Sequence, residues 1–115
     1  MRHSSNKKIL NMPSSQRQAV IVNLVISLLK CGKIETTLAK AKVLAPYVEK
    51  LITLAKKQSV ANTRLIISRL DKESVGYIYE IAKKMENKNG GYTRIIKTWR
   101  RYGDMAETAI VEFAF

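Results

Sequence analysis

YTRIIKTWR at residues 92–100 and AETAIVEFAF at residues 106–115 decide the fold, because the hydrophobic period there becomes 2. In the first segment Thr93, Ile95, Lys97 and Trp99 alternate with Tyr92, Arg94, Ile96, Thr98 and Arg100. In the second, Ala109, Val111, Phe113 and Phe115 fall on one side. A period of 2 is that of a strand with one face buried. Tyr102-Gly103-Asp104 between them signals a turn, so the two segments are expected to form an antiparallel hairpin. On that alternation Ile95 and Trp99 help fill the core, while Arg94 and Arg100 share the opposite face.

Upstream of the hairpin the chain reads as helices and one short strand. SSQRQAVIVNLVISLLKC is rich in β-branched residues, which suit strands. Its length without a turn signal favours a helix over about residues 15–31. Ser15 and Gln18 match a capping box, and Gly32 supplies the stop. KIETT at 33–37 reads as a short strand, and Thr37 as the cap of a second helix near 38–58. There Leu38, Ala41, Ala45, Val48, Ile52 and Ala55 form an apolar stripe, widened by Leu44 and Leu51. Pro46 lies inside that stripe and predicts a kink near 42–46. Residues 60–70 read as a third helix. A fourth, capped by Asp71 or Ser74, presents Val75, Ile78, Ala82 and Met85 on one face and ends at Asn87 to Gly91. The expected architecture is α+β and two-layered: helix, strand, three helices, two strands, with helices packed on one face of a small sheet. Residues 1–13 carry Arg2, Lys7 and Lys8, have no acid and end in Pro13. They read as a basic N-terminal arm preceding a single globular domain at 14–115.

Composition narrows the chemistry. The 115 residues hold 21 Lys plus Arg against 9 Asp plus Glu, a formal net charge of +12. Such an excess points to a polyanionic partner, nucleic acid before a membrane surface. One Cys and one His exclude a disulfide framework or a zinc finger within the chain. They leave little for Cys–His or Ser–His–Asp catalysis. His3 reads as an arm residue, and Cys31 as a partly buried small side chain. Glu80 and Lys84 are spaced for a surface ion pair. There is no P-loop and no G-x-G-x-x-G. The longest apolar run, residues 19–29, is 11 residues against the roughly 18 a membrane span needs. No secretory signal is evident, and a cytoplasmic protein is expected. From Lys88 to Arg101 the chain carries Lys88, Arg94, Lys97, Arg100 and Arg101 without an acid, interleaved with Tyr92, Trp99 and Tyr102. Arginine forks match phosphate oxygens, and aromatic or guanidinium planes stack on exposed bases.

MRH at 1–3, SSQRQA at 14–19, TTLAKAK at 36–42, LITLAK at 51–56, SVANTRL at 59–65, GGYTRI at 90–95 and GDMAETAIVE at 103–112 together resemble the bacterial large-subunit ribosomal protein L seventeen family. They stand in the family's order and span nearly the whole chain. The chain departs from the family pattern at Met12, Gln16 and Cys31, and its arm is less basic than usual. The resemblance implies the same α+β order and binding to large-subunit ribosomal RNA. It implies a place on the subunit's outer face near the nascent-chain exit, beside neighbouring ribosomal proteins, with the arm entering the RNA. It implies no enzymatic activity, and no cofactor, metal, membrane or small-molecule substrate is expected. Expected RNA contacts are Arg2, His3, Lys7 and Lys8 in the arm, Arg17, Lys40, Lys42, Lys56 and Arg64 in the helical part, and Gly90, Gly91, Tyr92, Arg94, Lys97, Arg100 and Arg101 towards the C-terminus. The rival reading is a free nucleic-acid-binding regulator.

Overall fold

A computed structural model describes residues 8–115. Its elements run α1 (Ser14–Cys31), β1 (Lys33–Thr37), α2 (Leu38–Lys56), α3 (Val60–Arg69), α4 (Ser74–Lys84), β2 (Thr93–Arg100) and β3 (Glu107–Phe113). This is the expected α+β order. α2 is the hub: it packs on all three strands and on each of the other helices. All eight residues of its apolar stripe, Leu38, Ala41, Leu44, Ala45, Val48, Leu51, Ile52 and Ala55, are buried. Ile21, Val25, Leu28 and Leu29 of α1 and Ile66 of α3 meet it in one core, with Ile78, Ile81, Ala82 and Met85 from α4 and its end.

Local chemistry sets the boundaries. Gly32 adopts φ +81°, where a side chain would be strained, and its N–H closes α1 onto the Leu28 carbonyl at 2.8 Å. Thr37 caps α2 by accepting the Lys40 N–H at 3.4 Å, and Ser59 caps α3 by accepting that of Asn62 at 3.1 Å. Asn62 also donates to the carbonyls of Leu54 and Lys57 at 3.1 and 3.0 Å, satisfying acceptors at the end of α2. Asp71, rather than Ser74, caps the approach to α4, accepting the Ser74 N–H at 2.8 Å.

Some expectations are corrected. α1 begins at Ser14 behind Pro13 with no side-chain cap. Ser15 is therefore already inside the first turn, and the capping box does not form. Pro46 does lie inside α2, as its place in the apolar stripe predicts. Proline cannot donate a backbone hydrogen bond, so the Lys42 carbonyl one turn earlier lacks its helical donor. Cys31 is exposed, because it is the last residue of α1 beside the chain reversal at Gly32. Lys84 forms no ion pair with Glu80 among the described residues; its ammonium lies 5.4 Å from the Phe115 ring centroid.

The sheet order is β1-β3-β2, antiparallel throughout. Ile34 and Ile95 flank Val111 on the helix-facing side, where Ala109, Val111 and Phe113 are buried. The other face carries a row of Lys33, Glu112 and Arg94 and a row of Glu35, Ile110 and Ile96. β2 pairs in one register from Thr93↔Phe113 to Lys97↔Ala109, then shifts so that Arg100 faces Glu107. One extra residue has been taken up in β2, a β-bulge, and a one-residue slip reverses the facing of whatever follows. Hence Trp99 does not fill the core: it is 89% exposed. Arg100, opposite Glu107, leaves the face that carries Arg94. Thr98 and Thr108 join their hydroxyls at 2.5 Å beside the bulge, and Thr108 donates to the Trp99 carbonyl at 2.6 Å.

Candidate nucleic-acid interface

Three cations from three parts of the chain meet at one end of the helical layer. One shallow groove is lined by Lys8, Ser14, Arg17, Gln18, Ile21, Val43 and Tyr47. A second, sharing Lys8, is lined by Thr37, Leu38, Ala39, Lys42, Ala106 and Glu107. Lys8 thus bridges the start of α1, with Arg17, and the start of α2, with Lys42. Lys40 lies in the first turn of α2 and is half-buried.

The electrostatics there are unusual for a protein standing alone. A helix N-terminus carries roughly half a positive charge and favours acidic side chains. None of the four helices has an acid in its first turn. Arg17 and Lys40 lie in the first turns of α1 and α2, and Lys42 and Arg64 one position beyond those of α2 and α3. Arg17, Lys40, Lys42 and Arg64 form no ion pair among the described residues. Cations at a positive helix end cost the isolated fold about 0.3–1 kcal/mol each at low ionic strength. An anion seated at the same place reverses that sign, because unpaired N–H groups and the dipole both attract it.

The remaining expected residues separate from this cluster, Arg64 among them, since α3 starts beside the end of α2, where Asn62 bonds the Leu54 and Lys57 carbonyls. Lys56 lies at the far end of α2, about 24 Å along the axis from Lys40 at 1.5 Å per residue. There its ammonium sits 4.5 Å from the Tyr92 ring centroid and donates to the Lys88 carbonyl. Tyr92 is only 3% exposed, a core residue under Lys56 rather than a ring open to stacking. Gly90 and Gly91 are exposed, Gly91 with φ +62°, and a Cβ on either would meet nothing within 4 Å. Their backbone is open to a partner.

The hairpin arginines are tethered. The Arg94 Nε meets Glu112 Oε1 at 2.7 Å, with 59% of the Arg94 side chain exposed. Arg100 meets Glu107 at 3.2 Å and Arg101 meets Asp104 at 2.5 Å. Arg101, and then the Ala106 N–H, hold the Asp104 carboxyl down at about 2. Each arginine keeps guanidinium surface in solvent, so the pairs fix a direction without consuming all five donors. Lys97 is exposed without an ion pair among the described residues. Arg2, His3 and Lys7 lie outside the described residues. Sequence reasoning missed the acids Glu107 and Glu112, whose cross-strand positions depend on register.

No group of three or more His, Cys, Asp and Glu among the described residues could hold a metal ion, and no helix there is long and apolar enough to cross a membrane. Compared with known proteins, residues 20–114 match the family described as Ribosomal protein L17. The chain is 51% identical over 117 residues to the large ribosomal subunit protein bL17 of Persephonella marina, covering 98% of this chain and 94% of that protein. It is 50% identical over 115 residues to the bL17 of Campylobacter lari, covering 98% of each. To the bL17 of Sphingopyxis alaskensis it is 48% identical over 115 residues, covering 98% of this chain and 83% of that protein.

Proposed function

This chain belongs to the ribosomal protein L17 family, and we propose that it binds large-subunit ribosomal RNA through a basic arm and the cationic helix starts. Its role is structural, not enzymatic, as a constituent of the large ribosomal subunit. The observation that carries the RNA reading is the placement of Arg17, Lys40, Lys42 and Arg64 at or just beyond helix N-terminal turns that contain no acid. That arrangement is unfavourable in the free protein and becomes favourable when phosphates arrive. Lys8, inside the arm of residues 1–13, stands in both grooves there. The site near the nascent-chain exit, among neighbouring ribosomal proteins, is the finer part of the same reading and rests on the family resemblance. The protein works in the cytoplasm, within the ribosome.

The test is retention on the large subunit through a high-salt wash, together with filter binding to deproteinised large-subunit RNA across a salt series. Six to ten phosphate contacts would weaken binding by about 10³–10⁵ between 50 and 200 mM salt. A flat salt response would remove phosphate contact as the basis of binding. Tight binding to a short DNA or RNA duplex of particular sequence, without retention on the subunit, would favour a free regulator.

A further inference from the structure

The hairpin loop holds out two aromatic rings that the fold does not use. Trp99 is 89% exposed and Tyr102 is 100% exposed. Isolated exposed apolar residues are normal on a protein surface. Here the backbone beneath both rings is tightly held. The bulge turns Trp99 outward, and the buried Thr108 hydroxyl fixes its carbonyl at 2.6 Å. Beyond it, the Arg101 N–H donates to the Ala106 carbonyl at 2.8 Å and the Met105 N–H to the Arg101 carbonyl at 2.9 Å. Asp104 accepts from the Arg101 guanidinium at 2.5 Å and from the Ala106 N–H at 3.1 Å. Gly103 at φ +107° and Met105 at φ +54° complete a turn that few other conformations would allow. A bulge commonly re-aims a side chain beside a functional surface.

We propose that this loop presents Trp99 and Tyr102 as a stacking platform for unpaired RNA bases, a contact that rests on the RNA-binding reading above and extends it. The chemistry between the rings favours nucleic acid over a protein neighbour. Arg100 and Arg101 lie between them and Lys97 just before them, so phosphates linking stacked bases would meet guanidinium and ammonium groups. The ion pairs to Glu107 and Asp104 hold those arginines in place while leaving 59% and 56% of their side chains exposed. Base–aromatic stacking tolerates sequence, since every base has a π-face, and a preformed platform loses little freedom when it is occupied.

Trp99 is the only tryptophan, so emission from the full-length protein reports on this position alone. The probes are deproteinised large-subunit RNA, a single-stranded oligoadenylate and an RNA duplex without unpaired bases. Wild-type emission should be quenched by the first two and much less by the duplex. Trp99→Ala should weaken binding to the first two on the order of 10-fold with an unchanged salt slope, the loss of one stacked base. Trp99→Phe should recover most of the loss, and Tyr102→Ala should behave like Trp99→Ala. All three variants should keep the wild-type melting temperature, which separates lost stacking from lost folding. Unquenched emission and wild-type affinity for Trp99→Ala would overturn the platform while leaving RNA binding intact. Wild-type protein that fails to bind RNA at all would overturn both readings. Normal RNA affinity for Trp99→Ala with failed incorporation into the subunit would assign the loop to a protein neighbour and overturn the platform.

Discussion

Replacing Arg17, Lys40 and Lys42 together by glutamine should move stability and RNA affinity in opposite directions. The three residues lie at the N-terminal turns of α1 and α2 and form no ion pair among the described residues. Arg17 and Lys40 lie within the first turns, where a cation opposes the helix dipole by about 0.3–1 kcal/mol each. Lys42 is one position further on and contributes less, since the effect fades after the first turn. Glutamine retains good helix propensity and much of the stem packing. The free protein should therefore gain up to about 2 kcal/mol at low salt, or hold constant at physiological salt, where screening removes surface charge effects. In RNA binding each lost phosphate contact removes about 0.7–0.9 from the slope of log K against log salt, so the triple variant should lose roughly 2–3. Thermal melts at low and high salt give the first quantity, and filter binding across a salt series gives the second. A variant that melts markedly below wild type at low salt would show that these cations stabilise the fold itself. An unchanged salt slope would show that no phosphate sits at the helix starts.

Three further outcomes follow from other parts of the fold. Ile52→Ala should destabilise by about 2–5 kcal/mol, because Ile52 is 0% exposed on the buried stripe of α2 and the helix packed around it limits collapse of the cavity. A melting temperature within a few degrees of wild type would contradict that packing. The Asp104 carboxyl should titrate at about 2, held there first by Arg101 and then by the Ala106 N–H. Its folded value lies below the ordinary aspartate value of 3.8, so its contribution is fully present above that pH and is lost as pH falls through about 2. Carboxyl NMR chemical shifts that titrate near 3.8 would show that the loop does not hold its ion pair in solution. Deleting residues 1–13 should lower the melting temperature modestly, because Leu10 packs against the core, and should weaken subunit incorporation far more. Unfolding on deletion would place the domain boundary elsewhere.

Hydrophobic periodicity made most of the fold legible. The α2 stripe was readable to the residue because a helix packed on several neighbours leaves no ambiguity about its inward face. The hairpin was readable from its alternation on either side of a turn signal. Two features were not readable. The pairing of β1 with β3 is a long-range choice, and KIETT carries no mark of its partner. The bulge near Trp99 is set by register across the strands, with Thr98 and Thr108 bonded beside it, and pure alternation passes over it. The candidate site was legible as a set of cations and not as an arrangement. Lys56 and Tyr92 look like surface chemistry in sequence, yet they pack on each other beneath the Lys88 carbonyl.

The distribution of acids explains why charge alone overstates some sites and understates others. Glu107, Glu112 and Asp104 lie on or beside the sheet and pair with Arg100, Arg94 and Arg101. Glu49 on α2 accepts from the Thr93 N–H and hydroxyl at 3.3 and 2.9 Å, tying the helical layer to β2. These acids hold the hairpin in shape, so its arginines reach a partner already oriented. At the starts of α1 and α2, Arg17, Lys40 and Lys42 form no ion pair among the described residues; Glu107, which lines the groove of Lys42, is paired with Arg100 instead. The two regions therefore differ in kind. Phosphates at the helix starts would neutralise repulsion already present in the free protein, whereas phosphates at the hairpin would have to share guanidiniums with carboxylates. Neutralising a helix-start cation should accordingly reduce salt-dependent affinity more than neutralising Arg94 or Arg100.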